Sequence, residues 1–79
     1  MFAGEIMFTG ETKMYLRVYA FEKKYGIVIR HTFVVYLTPS WEFVVTLDGD
    51  YFDGYKSRPR CGFEEEITRR AKQRGWYVP

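Results

Sequence analysis

The sequence predicts an α+β domain in which a mainly antiparallel sheet of four to five strands packs against one C-terminal helix. Between residues 13 and 47, apolar and polar residues alternate at every second position, as in strands that bury one face. Between residues 63 and 74, the apolar spacing lengthens to about four, as in an amphipathic helix. Short connections favour a meander, and the alternative is a small SH3-like barrel that the helix closes at one end.

Four strands are expected before residue 48, at residues 5–8, 13–21, 27–37 and 41–47. A five-residue connection at 22–26 ends in glycine and suits a hairpin. The third strand has the clearest alternation, and its apolar face, which starts at Ile27 and Ile29, is expected to face the core. Pro39 ends this strand, because proline cannot donate to a sheet.

The segment at residues 48–62 is rich in Asp, Gly and charged residues. At this length it exceeds an ordinary loop, so it holds either a short extra strand at 51–55 or a functional loop. Its acidic residues depart from the spacing of an EF-hand and suit turns instead: Asp48, Asp50 and Asp53.

The helix is predicted at residues 63–74, with a buried stripe of Phe63, Ile67 and Ala71. Acidic residues crowd its first turn and basic residues its second half, as the helix dipole favours. Two ion pairs four residues apart are expected, Glu65–Arg69 and Glu66–Arg70. Gly75 suits the left-handed residue after the helix, and Trp76 is then the apolar residue that folds back.

Length and composition restrict the classes of function. Seventy-nine residues allow one small domain, residues 1–79, with a single core. The aromatic content of 20% supplies buried area that disulfides cannot, because Cys61 is the only cysteine and is expected to be a buried thiol. The start of the sequence does not resemble a signal peptide and no stretch is apolar enough to span a membrane, so a cytoplasmic protein is expected.

Two groups of residues are candidate partner-binding surfaces. The first is basic and lies in the last third of the chain: Lys56, Arg58, Arg60, Arg69 and Arg70. The second interleaves Tyr and Arg on one face of the second and third strands: Tyr15, Arg17, Tyr19, Arg30 and Tyr36. The ordinary interpretations are a solvated helix surface for the first group and core residues for the second.

No catalytic, metal or nucleotide motif is recognisable in the sequence, and no metal site or cofactor is expected. His31 is the only histidine and lies on the apolar face of a strand, which favours a core or rim residue. With Cys61 it provides too few soft ligands for a structural zinc site.

These observations favour a small non-enzymatic protein-binding module, similar in size to phage-type inhibitors of host defence or nucleic-acid-processing complexes. Its partner would be a larger protein or a ribonucleoprotein with an acidic surface. One alternative is a nucleic-acid-binding protein that uses the Tyr/Arg face and the basic residues. Another is a small RNase-like enzyme with His31 as general base.

Overall fold

The computed structural model describes residues 12–79. In this part of the chain, four antiparallel strands form one sheet in the order β1-β2-β3-β4, followed by one helix. The elements are β1 (Lys13–Lys24), β2 (Ile27–Leu37), β3 (Phe43–Leu47), β4 (Asp50–Tyr55) and α1 (Phe63–Gln73). The α+β meander is therefore confirmed, and the SH3-like barrel is wrong because the sheet is open. The strand predicted at residues 5–8 lies outside the described residues.

The β1–β2 hairpin is longer than the sequence analysis predicts. β1 continues to Lys24, and the turn consists only of Tyr25 and Gly26, with φ angles of 53° and 77°. Two consecutive residues with positive φ form the type I′ turn, whose twist matches that of paired strands. The five-residue connection at 22–26 is therefore wrong, since residues 22–24 pair with β2.

The segment at 48–62 contains a strand instead of one continuous loop. Asp48 and Gly49, with φ angles of 53° and 92°, form a second two-residue turn that leads from β3 directly into β4. Of the two alternatives for this segment, the extra strand is correct, and it begins one residue earlier than predicted. The irregular connection is reduced to residues 56–62.

The helix covers one face of the sheet with its predicted stripe, Phe63, Ile67 and Ala71. This stripe forms the core with buried residues of the first three strands: Val18, Ala20, Phe33, Val35 and Val45. The end of the helix is a Schellman motif, as the sequence predicts. Gly75 has a φ of 84°, its N–H donates to the carbonyl of Lys72, and the N–H of Trp76 donates to that of Ala71. Trp76 is thereby turned back against the core.

Substitution of Ile67 tests the helix–sheet packing. Ile67→Ala should lower the free energy of unfolding by about 2–4 kcal/mol, because it removes buried apolar volume and leaves a cavity under the helix. Chemical denaturation followed by circular dichroism measures the change. The exposed Lys72→Ala variant of the same helix is the control and should change stability by less than about 0.5 kcal/mol. Equal stabilities for the two variants would contradict the core described above.

Candidate functional site

The start of β1 departs from the alternation that the sequence suggests. The β1–β2 register shifts between Met14 and Leu16, so Tyr15 is a bulge residue. Its ring centroid lies 5.3 Å from that of Phe43 and 5.9 Å from that of Phe63, which places Tyr15 on the helix side of the sheet. The sequence prediction groups Tyr15 with Arg17 on the opposite face, and this placement is wrong because the bulge shifts the alternation by one residue.

Four of the predicted Tyr/Arg residues do share the face that lies away from α1. The Arg17 and Arg30 guanidinium carbons lie 5.4 Å and 4.6 Å from the centroid of the Tyr19 ring. Tyr36 belongs to the same face but pairs with Met14, nearer the other end of the hairpin. The structure therefore brings Arg17, Tyr19 and Arg30 into one cluster. Tyr36 lies on the same face but farther along the strand, outside this cluster.

The basic residues of the connection after β4 lie at the end of the sheet that is opposite the β1–β2 turn. Lys56, Arg58 and Arg60 are all exposed, and Arg58 donates a hydrogen bond of 3.2 Å to the Tyr15 hydroxyl. Because β4 ends where Tyr55 pairs with Phe43, this connection is far along the strands from the β1–β2 turn. Cys61, in the same connection, is exposed instead of buried.

The two helix arginines make contacts within the domain. Arg69 pairs with Glu66 at 2.6 Å, three residues away, and this hydrogen bond lowers the pKa of the Glu66 carboxyl below its ordinary value. Arg70 pairs with Asp53 of β4 at 2.9 Å and donates to the Tyr55 hydroxyl at 3.1 Å. The expected pairs Glu65–Arg69 and Glu66–Arg70 are wrong, because β4 supplies a carboxylate within reach of Arg70. Arg70 therefore links the helix to β4, whereas Arg69 pairs with a residue of its own helix.

Around His31 is a polar cluster that the sequence analysis does not predict. Its Nδ1 lies 2.7 Å from a carboxylate oxygen of Asp48, and its Nε2 lies 2.7 Å from one of Glu22. The Trp76 ring stacks on the imidazole with centroids 3.8 Å apart and an interplanar angle of 7°. The His31 side chain is 15% exposed. We call His31, Glu22, Asp48 and Trp76 the His31 clamp.

Both two-residue turns position members of the His31 clamp. The Tyr25–Gly26 turn fixes a register in which Glu22 pairs with Ile29, on the same face as His31. Asp48 is the first residue of the β3–β4 turn, where its N–H donates to the Thr32 carbonyl at 2.8 Å and its second carboxylate oxygen accepts from the Thr32 N–H at 2.9 Å. The Asp-Gly dipeptide at 48–49 is the sequence signal that would have revealed this turn.

The two carboxylates favour a charged His31. Burial lowers the pKa of His31, but its hydrogen bonds to Asp48 and Glu22 outweigh burial and raise the pKa above the ordinary 6.5. Burial raises the pKa of Asp48, but hydrogen bonds from His31 and from the Thr32 N–H outweigh burial and lower that pKa below 3.8. An imidazolium that donates from both nitrogens has no lone pair with which to accept a proton. This geometry suits a structural cation and does not suit a general base.

The carboxylates of the clamp also lie at opposite nitrogens of the ring, so they do not converge on one ion. Within residues 12–79, no group of three His, Cys, Asp or Glu side chains is arranged to hold a metal. The clamp is therefore best described as a set of polar and stacking contacts at the edge of the core. These contacts join β1, the β3–β4 turn and the segment after α1 through His31.

The β1–β2 hairpin extends past β3 and β4, the other strands of the described residues. β3 pairs with β2 only between Phe33 and Leu37, so residues 22–30 project as a two-stranded ribbon. We call residues 22–30 the hairpin arm. Its apolar side chains are exposed: Tyr25 by 91%, Ile27 by 63%, Val28 by 53% and Ile29 by 37%. The expected core position of Ile27 and Ile29 is wrong, because the buried contacts of α1 are with residues nearer the middle of the sheet.

Comparison with known proteins finds no family model, no curated protein and no solved structure that matches this chain. Between residues 12 and 79, no helix has the length and apolar character that a membrane crossing requires. The function is therefore inferred from the surfaces described above.

The pKa shifts of the His31 clamp predict how stability depends on pH. A group whose pKa is higher in the folded state than in the unfolded state stabilises the fold at pH values below its unfolded-state pKa. This stabilisation is lost as the pH rises through the folded-state pKa. For His31 the loss therefore begins above pH 6.5, whereas the Asp48 contribution is lost only in acid, as pH falls below 3.8. The clamp should stabilise the fold most between these limits.

Denaturation of the wild type and of His31→Gln, at about pH 5.5 and about pH 8.5, measures this dependence. The wild type should be more stable than the variant at the lower pH by on the order of 1 kcal/mol, since the half-exposed Asp48 is partly screened by water. The difference should shrink at the higher pH. A difference that stays constant, or grows, with pH would contradict a charged His31.

Proposed function

We propose that this chain is a non-enzymatic protein-binding module that uses its hairpin arm to bind a larger protein with an acidic surface. The observation that carries this proposal is the exposure of four apolar side chains, residues 25 and 27–29, at the end of a projecting ribbon. Ile27 and Ile29 share one face of the ribbon, and Val28 lies on the other. Apolar surface contributes about 25 cal/mol per Å² when it leaves water, and exposed apolar surface marks interaction sites when several such side chains lie together.

The charges of the arm support an acidic partner. Lys23, Lys24 and Arg30 are exposed, and none of them forms an ion pair with a carboxylate in the described part of the chain. Glu22, the acidic residue of the arm, is already bound to His31. Positive charge around an apolar tip steers association with a negatively charged surface and selects against a positively charged one.

The base of the arm is held in place, which reduces the entropy cost of binding. Phe21, next to the arm, exchanges two backbone hydrogen bonds with Tyr77, of 2.8 Å and 2.9 Å. The His31 clamp fixes the start of the same region from the helix side. A preorganised arm loses less conformational freedom on binding than a flexible loop does.

Nucleic acid is the second candidate ligand, and the cluster of Arg17, Tyr19 and Arg30 is the observation that favours it. Arginine can neutralise phosphates, and tyrosine can stack on bases. The Tyr19 ring, however, is already engaged by two guanidinium groups. The exposed side chains at the arm tip are aliphatic apart from Tyr25, and they suit a protein surface better than a stack of bases.

Removal of the apolar tip tests the proposal. The immobilised wild-type chain is used to capture partners from cell extracts, and the capture is repeated with Ile27→Ser combined with Val28→Ser. The double variant should retain at most about one tenth of the captured protein, because hot-spot residues carry most of the energy of an interface. Circular dichroism of the variant verifies that it is folded.

Two controls alter surfaces at the opposite end of the sheet. Trp41→Ser removes another exposed aromatic side chain, and Arg58→Glu combined with Arg60→Glu reverses charge in the basic connection. Both should capture the partner as the wild type does. Loss of capture only in the charge-reversed variant would move the binding surface to residues 56–60. Capture that nuclease abolishes and that falls steeply with salt would instead support nucleic acid.

A further inference from the structure

One edge of the hairpin arm has backbone groups that no strand of residues 12–79 pairs. The N–H and the carbonyl of Thr32 both point toward β3, since both bond to Asp48. In an antiparallel strand, every second residue directs both of its backbone groups to the same edge. Arg30 and Val28 therefore direct theirs to this edge as well. Pairing with β3 begins only at Phe33, so the two residues have no strand beside them in residues 12–79.

The opposite edge of the ribbon is closed near the base of the arm. The N–H and carbonyl of Phe21 point outward from β1, and both form backbone hydrogen bonds with Tyr77. The edge of β2 that is free within residues 12–79 is thus the side on which a further strand can be added in line with β3. Strand addition at an exposed sheet edge is a recurring mode of peptide recognition, in which backbone hydrogen bonds give affinity and alternate side chains give specificity.

The side chains along this edge define the chemistry of the strand that fits. On the helix side of the arm the edge presents Ile27 and Ile29, and on the other side Val28 and Arg30, with Lys23 opposite Val28. A strand laid along the edge would place alternate side chains beside isoleucines and beside cations. Apolar residues of the added strand would pack beside the isoleucines, and acidic residues would pair with the cations.

We propose that the partner supplies an extended segment of alternating apolar and acidic residues that pairs with the Val28–Arg30 edge of β2. This inference rests on the proposed function and specifies how the arm binds. A second copy of the chain is a poorer occupant, because it would bring its own Lys23 and Arg30 close to the same cations, and like charges across strands are destabilising.

The test uses peptides of known sequence. A display library of random peptides, each about ten residues long, is selected on the wild-type chain. The selected peptides should alternate apolar and acidic residues. Their affinities are then measured for Val28→Pro and for the matched control Val28→Ala. Because the Val28 N–H points to the free edge, proline removes a donor that a partner strand needs and leaves the β1–β2 hydrogen bonds intact.

Val28→Pro should bind the selected peptides at least about tenfold more weakly than Val28→Ala does, with circular dichroism unchanged. Replacement of the acidic residues of a selected peptide by lysine should weaken binding by at least about the same factor. The inference would be overturned if selection enriched no peptides, or if the enriched peptides lacked the alternation of apolar and acidic residues.

The outcome separates this inference from the proposed function. Peptides that bind Val28→Pro as tightly as Val28→Ala, but are lost in the Ile27→Ser and Val28→Ser variant, would overturn strand pairing and leave the arm as the binding surface. Peptides whose affinity is the same for all these variants would overturn both.

Discussion

An α-helix of 11 residues has to bury one face of a sheet whose two longest strands have 12 and 11 residues. The helix is about 16 Å long at 1.5 Å per residue, whereas β1 approaches about 40 Å at 3.3 Å per residue. The core can form only where the helix reaches, and the buried residues from Val18 to Val45 all lie in that zone. The rest of β1 and β2 must project, and this mismatch of lengths creates the hairpin arm.

The His31 clamp lies at the boundary between the covered and the uncovered part of the hairpin. A cation and two carboxylates are costly to remove from water, and partial exposure together with two hydrogen bonds of 2.7 Å offsets that cost. The Schellman motif places Trp76 over the imidazole, while the fully buried and small Ala20 is the residue that pairs with His31. The clamp therefore joins the helix end to the point at which the arm leaves the core.

The features that sequence analysis predicts correctly are local ones. The alternation of residues 27–37, the stripe of Phe63, Ile67 and Ala71, and the Gly75–Trp76 cap each depend on a few neighbouring residues. The tertiary features that it misses depend on register. The bulge at Tyr15 shifts the pattern of β1, and Arg70 exchanges a helical partner for Asp53 of β4. The two type I′ turns bring Glu22 and Asp48 to His31, and the Schellman motif brings Trp76. The exposure of Ile27 depends on helix length relative to strand length.

An apolar arm with a free edge is also a site at which copies of a protein can aggregate. Lysine and arginine on or beside an edge strand oppose that pairing, because a second copy brings the same charges. Lys23, Lys24 and Arg30 occupy such positions around the tip. The same three cations favour an acidic segment and disfavour a basic one. Selectivity for an acidic partner and resistance to self-association are thus two consequences of one charge pattern, which explains why apolar residues and cations are found together on the arm.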